Sequence, residues 1–239
     1  MTQALLVTHG GAKIGRQDLR ELPTPEATTT FQPIPHFKFV EAIVESLAYR
    51  KIEVVTDEYA VTHEGLRCFG VIEVNLEEVG IRLAIGLRNG NDRSMSLGLT
   101  SGYRVFCCSN LAFRGEFSPV TRKHSKHIDL IETVSTGIDR IQRHFQPMLE
   151  RVKAFQSFEL SDNQAKIMLA DAFVLRKLAV PKHLGERVAR AYFEPELEDF
   201  KPRTMWSFEN AFTGAFKELD PVPMFEATAA LPKFLANYN

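Results

Sequence analysis

The spacing of hydrophobic positions changes period twice along the chain. Between residues 37 and 48, Phe37, Val40, Ile43, Val44, Leu47 and Ala48 recur at helical intervals, with Glu41 and Glu45 outside the stripe, which predicts a helix after Pro35. From Ile52 to about Glu116 the period is two. It predicts strands over 52–56, 58–62, 66–75, 80–88 and 102–109 and a short one over 112–117. His63-Glu64-Gly65 and residues 77–80 are the connecting turns, and connections this short make neighbours antiparallel. Residues 82–88 and 103–108 read as central, largely buried strands.

From His127 onward the helical period returns. Ile131, Val134, Ile138, Ile141, Phe145, Met148, Val152 and Phe155 alternate at three and four residues, a heptad seam that Pro147 is predicted to kink or split. Ser161-Asp162 caps a helix to about 178, and Pro181 opens one to 193. Residues 194–202 form a loop. Thr204 caps a helix with Phe208, Phe212, Ala215, Phe216 and Leu219 on one face, which Pro221 and Pro223 end. The order predicts an α+β fold: a helix, then a central antiparallel sheet, then a mostly helical C-terminal portion. Residues 1–35, with Pro23, Pro25, Pro33 and Pro35 and one short strand near 4–8, are a lead-in, read as an extended arm or a poorly ordered terminus. Residues 36–126 make the sheet core, and 127–239 a helical portion on the same domain.

Composition adds boundaries. The 239 residues carry 29 Lys+Arg against 30 Asp+Glu, a formal charge of −1, which excludes a polybasic coat, an acidic tail and a disordered chain. The three cysteines, two of them the adjacent Cys107 and Cys108, argue against a disulfide framework and for a reducing cytoplasm. The N-terminus has no basic segment before its short apolar run, so no signal peptide is expected, and no stretch is long and apolar enough for a membrane span.

Near-neutrality conceals an uneven distribution. Residues 88–127 carry Arg88, Arg93, Arg104, Arg114, Arg122, Lys123 and Lys126 against Asp92 and Glu116, while 40–80 hold nine acids against Arg50, Lys51 and Arg67. The basic stretch, with Phe113 as a stacking residue, suits a strand of phosphates and bases. The alternative is that opposite charges pair across neighbouring strands. Asn89-Gly90 favours a turn, and the Asn89–Asp92 loop is a candidate to share a polar pocket with Trp206 and Asn210, Trp206 otherwise being a core anchor. The seam residues Ile131, Val134, Ile138, Ile141 and Phe145 either join two subunits or pack within the chain, the default for a helix with one apolar stripe.

Signatures of catalysis are missing: no Gly-x-Ser-x-Gly, no phosphate loop, no His-Glu-x-x-His, no Cys-x-x-Cys. Asp57, Glu58 and Glu73 supply acids without the lysine a nuclease site wants, and are expected to solvate the outer sheet face. Cys107 and Cys108 point to opposite strand faces and cannot both join His124 and His127 on a metal; the histidines are expected at the surface. No metal or cofactor is expected.

Several blocks carry a resemblance. Pro35-His-Phe with Leu47-Ala, Phe69-Gly-Val, Gly86-Leu-Arg-Asn-x-Asn-Asp-Arg-Ser94, Gly102-Tyr-Arg-Val-Phe-Cys-Cys-Ser-Asn-Leu111 and Arg203-Thr-Met-Trp-Ser-x-x-Asn-Ala-x-Thr213 resemble, in that order, a prokaryotic domain-of-unknown-function family whose members are labelled phage- or plasmid-related. That family usually has Gly-Ser after the loop Asp, where this chain has Arg93-Ser94. The resemblance implies a mobile-element context. A helix before an antiparallel strand run also resembles, as fold-level analogy alone, single-strand-annealing recombination proteins. The expectation is a non-catalytic accessory protein binding nucleic acid, single-stranded DNA in particular. The alternatives are a protein–protein interaction module modulating host defence or replication, and an enzyme with its pocket between the Asn89–Asp92 loop and the Trp206 helix.

Overall fold

The structure, a computed structural model, describes residues 12–62, 64–105, 111–113, 120–126 and 128–238. Pro35 fixes the chain direction into α1 (His36–Tyr49), which buries Phe39, Val40, Ile43 and Leu47 at helical spacing. The strands follow as a meander: β2 (Val54–Thr62), β3 (Arg67–Glu78), β4 (Ile81–Gly90) and β5 (Leu97–Val105), each antiparallel to the last. Before them, β1 (Ala12–Ile14) adds to the free edge of β2. At the other edge, β6 (Leu111–Phe113) pairs with residues 102–104 and β7 (Val120–Arg122) with 97–99, so both lie along β5.

The fold is α+β as the periodicity predicts, with local differences. The strands expected over 52–56 and 58–62 are one, β2, with a register shift between Val54 and Thr56. Asn89-Gly90 is not a turn: both residues pair in β4 opposite Cys68 and Arg67, and the chain reverses over 91–96. The strand expected near 4–8, along with Cys107, Cys108, Arg114 and His127, lies outside the described residues.

Strand register sorts the sheet into two faces. One carries Ile72, Leu83, Ile85, Leu87, Leu99 and Tyr103, all buried beneath helices. Gly70 sits between Tyr59 and Leu87 in the ladder; a Cβ there would fall 2.6 Å from the Tyr59 ring, so only glycine leaves room for it. The other face carries Arg82, Ala84, Gly86 and Arg88 of β4 beside Gly98, Thr100, Gly102 and Arg104 of β5.

The helical half closes the first face. The seam lies in α2 (Leu130–Ser157), where Val134, Ile138, Ile141, Phe145, Met148, Val152 and Phe155 are buried in one core with α1 and the sheet. Four of the five residues considered for a subunit contact are therefore covered by their own chain; only Ile131 is exposed, at 75%. Pro147 does not split the helix. It and Arg143, whose carbonyl loses its partner, both lie on the hydrated side. Then come α3 (Asp162–Leu169), closed by a capping box at Ser161 and Gln164, a π-helical turn (Ala170–Val174), and α4 (Leu184–Phe193).

Thr204 caps α5 (Met205–Phe216), accepting from the Ser207 amide. Pro221 and Pro223 do not merely end that helix: Pro221 opens α6 (Pro221–Leu235) at the first helical position, where its missing N–H costs nothing. Among the described residues no helix is long and apolar enough to cross a membrane.

Ile138→Asp is expected to destabilise the chain by more than about 4 kcal/mol, because it places an unpaired carboxylate in the core. Denaturant unfolding reads the loss. A folded variant that had only changed its oligomeric state would contradict this packing.

Candidate functional site

Alternation along β4 places Asn89 on the helix side and Arg88 on the other, and Asn91 follows just past the end of the strand. Asn89 is fully buried. Its amide nitrogen donates to the Ile34 carbonyl (2.8 Å) and to His36 Nδ1 (2.8 Å), and its Oδ1 accepts from His124 Nε2 (2.6 Å). His36 Nε2 in turn donates to the Gly65 carbonyl (2.8 Å). Asn91 completes the clasp: its amide donates to the same Ile34 carbonyl (2.9 Å), and its Oδ1 accepts from the Ile34 N–H (3.0 Å). Residues 32–34 are thus tied across the end of the sheet, with Gln32 N–H donating to the His124 carbonyl (3.0 Å). His124 is buried, not at the surface as the sequence suggested, because it is the far member of this network.

Beside the arm lies a cleft of about 340 Å³ lined by Thr30, Phe31, Arg93, Ser94–Ser96, Lys123 and His124. Phe31 packs against His124 at 5.3 Å between ring centroids, and the Arg93 guanidinium lies 5.0 Å from the Phe31 centroid. Arg93 Nη2 donates to Thr28 Oγ1 (3.2 Å). Its backbone has φ +65°, the left-handed conformation that a glycine takes without strain and that costs another residue about 1–2 kcal/mol. The turn presents a guanidinium where a glycine would present nothing. Asp92 anchors it. Burial pushes its carboxyl up, but the Ser94 hydroxyl (2.5 Å), the Ser94 N–H (3.0 Å) and Arg67 (2.6 Å) outweigh that and hold it at about 2.

The remaining basic residues separate. Register aligns Arg88 with Gly98 and Thr121, so Arg88, Arg93, Arg122 and Lys123 ring one end of the sheet. Arg88, Arg122 and Lys123 are exposed and form no ion pair among the described residues. They do not share one flat face, since Arg88 and Arg122 occupy opposite-facing positions.

Arg104 belongs elsewhere. Six residues along β5 from Gly98, about 20 Å by strand rise, it donates to the fully buried Glu73 (2.6 Å), which also pairs with Arg82 (3.5 Å). The acids of the sheet therefore do not all solvate its outer face. Phe113 lies in β6 opposite Gly102, toward that same far end, and Arg114 is outside the described residues.

Among the described residues Asn89 and Asp92 are not brought beside Trp206 and Asn210. Trp206 stacks on Tyr103 (5.8 Å), whose ladder partner Leu83 is six residues along β4 from Asn89. The Asn210 amide donates to the Trp206 carbonyl (2.9 Å) within α5. Trp206 instead lines a separate cleft of about 380 Å³ with Val79, Val105, Gln156 and Pro202. The Cys68 thiol, fully buried, is pushed up to about 12 by burial, which removes it as a nucleophile.

Burial lowers the pKa of both His36 and His124, and in His124 the nearby His36 adds to this. Both are neutral in the folded chain, whereas the unfolded chain takes up their protons near pH 6.5. Stability is then complete above that value and falls as the pH drops through and below it. Denaturant midpoints at about pH 7.5 and about pH 5 are expected to differ in that direction; equal midpoints would contradict the neutral pair.

Neither a curated protein nor a solved structure matches the chain. A family model does, over residues 28–225, from the arm that carries Phe31 through every strand and helix that builds the cleft to the start of α6. The chain belongs to this family, described as a domain of unknown function, DUF932.

Proposed function

We propose that the protein binds single-stranded nucleic acid, DNA in particular, without catalysis, as an accessory protein of phage or plasmid type acting in the cytoplasm. The observation that carries this reading is the convergence of Arg93 and Lys123, thirty positions apart in sequence, on one cleft that also holds the ring of Phe31. Guanidinium and ammonium groups neutralise phosphates, and an aromatic side chain beside them suits an unstacked base. Arg88 and Arg122 extend the positive rim around the sheet end. Arg104 is tied to Glu73 and takes no part.

A second reading rests on a different surface. Ile167, Val174 and Leu175, exposed by 59–70% and about one heptad apart along α3 and its π-turn, favour a protein partner there. A dimer in solution that Ile167→Glu with Leu175→Glu dissociates would support it.

Binding of labelled oligothymidylate across a salt series tests the leading reading. Four phosphate contacts predict a slope of about −3 for log affinity against log salt, and each cation removed by Arg88→Ala or Lys123→Ala lowers it by about 0.7. Arg93→Gly is expected to weaken binding while leaving stability equal or higher by up to about 1 kcal/mol, since glycine adopts the left-handed turn freely. Absence of binding at low salt, or variants that bind like the wild type, would refute the assignment.

A further inference from the structure

We infer that His124 is the residue of the cleft that reads the base: it offers an unprotonated Nδ1 as a hydrogen-bond acceptor to an N–H on the base whose phosphate Arg93 and Lys123 hold. The inference rests on the nucleic-acid reading and deepens it.

The Gly65 carbonyl only accepts, so His36 carries its proton on Nε2, and in a neutral ring Nδ1 is bare. Bare Nδ1 requires a donor from Asn89, which fixes the carboxamide with nitrogen toward His36 and oxygen toward His124. The Ile34 carbonyl, 2.8 Å from the same nitrogen, imposes the same orientation independently. Asn89 Oδ1 then requires a proton on His124 Nε2. A neutral His124 so protonated has its lone pair on Nδ1. Among the described residues the buried side-chain polar atom without a partner is the Tyr59 hydroxyl and not His124 Nδ1, and His124 lines the cleft, the side to which we assign this lone pair.

The cleft therefore combines two cations and hydroxyl-bearing Ser94 and Ser96 with one side-chain nitrogen that can only accept. Phosphate uses the cations. The acceptor is complementary to a base N–H such as thymine N3–H. Asn89 and His36 are positioning residues, acting through the tautomer they impose on His124.

Two measurements test this. The first compares oligothymidylate with the same strand built from N3-methylthymidine, which lacks the donor. The wild type is expected to prefer the unmethylated strand by about tenfold, the worth of one well-placed hydrogen bond. His124→Phe, which keeps a ring against Phe31, is expected to bind both strands alike. Equal binding of the two strands by the wild type would overturn the inference while leaving the nucleic-acid reading intact; no binding of either strand would overturn both.

The second needs no variant. Long-range proton–nitrogen spectra at about pH 7.5 are expected to show His124 Nδ1 unprotonated and its resonance shifted by oligothymidylate. A proton on Nδ1, or a resonance indifferent to a bound strand, would overturn the assignment.

Discussion

One buried carboxamide organises the end of this molecule where its chemistry lies. Asn89 stands in β4, yet its three hydrogen bonds reach the arm at Ile34, the first turn of α1 at His36 and the segment after β7 at His124. Neither an acidic nor an aliphatic side chain would serve. An aspartate has no amide proton for Ile34 or His36, and an aliphatic residue would leave a ring nitrogen and a ring N–H buried without partners, at roughly 1–3 kcal/mol each. Because Asn89, His36 and His124 are buried and their facing donors and acceptors are matched, the network fixes positions and proton placement together. The cleft inherits both: Phe31 rests on His124, and Arg93 rests on Phe31.

Charge follows the same logic at larger scale. The acidic and basic halves of the sheet meet where β3 lies between β4 and its other neighbours, and there they cancel. Glu73 draws in Arg104 and Arg82, while Arg67 holds Asp92. A buried carboxylate needs its cations, so these arginines are committed to the fold. What is left over gathers at the opposite end. Among the described residues Arg88, Arg93, Arg122 and Lys123 form no ion pair there, Asp92 being spent on Arg67 and Ser94.

Much of the architecture was legible in the pattern of residues. Period two gave the meander, period 3.6 gave α1 and α5, and the seam in α2 packs inward as a single apolar stripe ordinarily does. Where the reading failed, the cause lies in context. Pro147 and Pro221 have the same local chemistry, but one sits on the wet side of a long helix and the other at the first position of a new one.

Asn89-Gly90 has the composition of a turn and is held in a strand by tertiary hydrogen bonds. Arg104 looked like its basic neighbours because linear charge does not show which face a residue takes, nor that Glu73 waits across the ladder. Phe31 gave no signal by itself, and His124 reads in sequence as a surface histidine. The spacing of Asn89 and Asn91, two amides separated by one residue, was the available sign of a buried polar cluster.

The most direct test is where a strand lies on the protein. A single-stranded oligonucleotide bearing photoreactive thymine analogues, crosslinked and mapped by mass spectrometry, is predicted to mark residues 28–34, 93–96 and 122–126 together. Crosslinks confined to the Trp206 cleft or to α3, or none at low salt, would contradict the account.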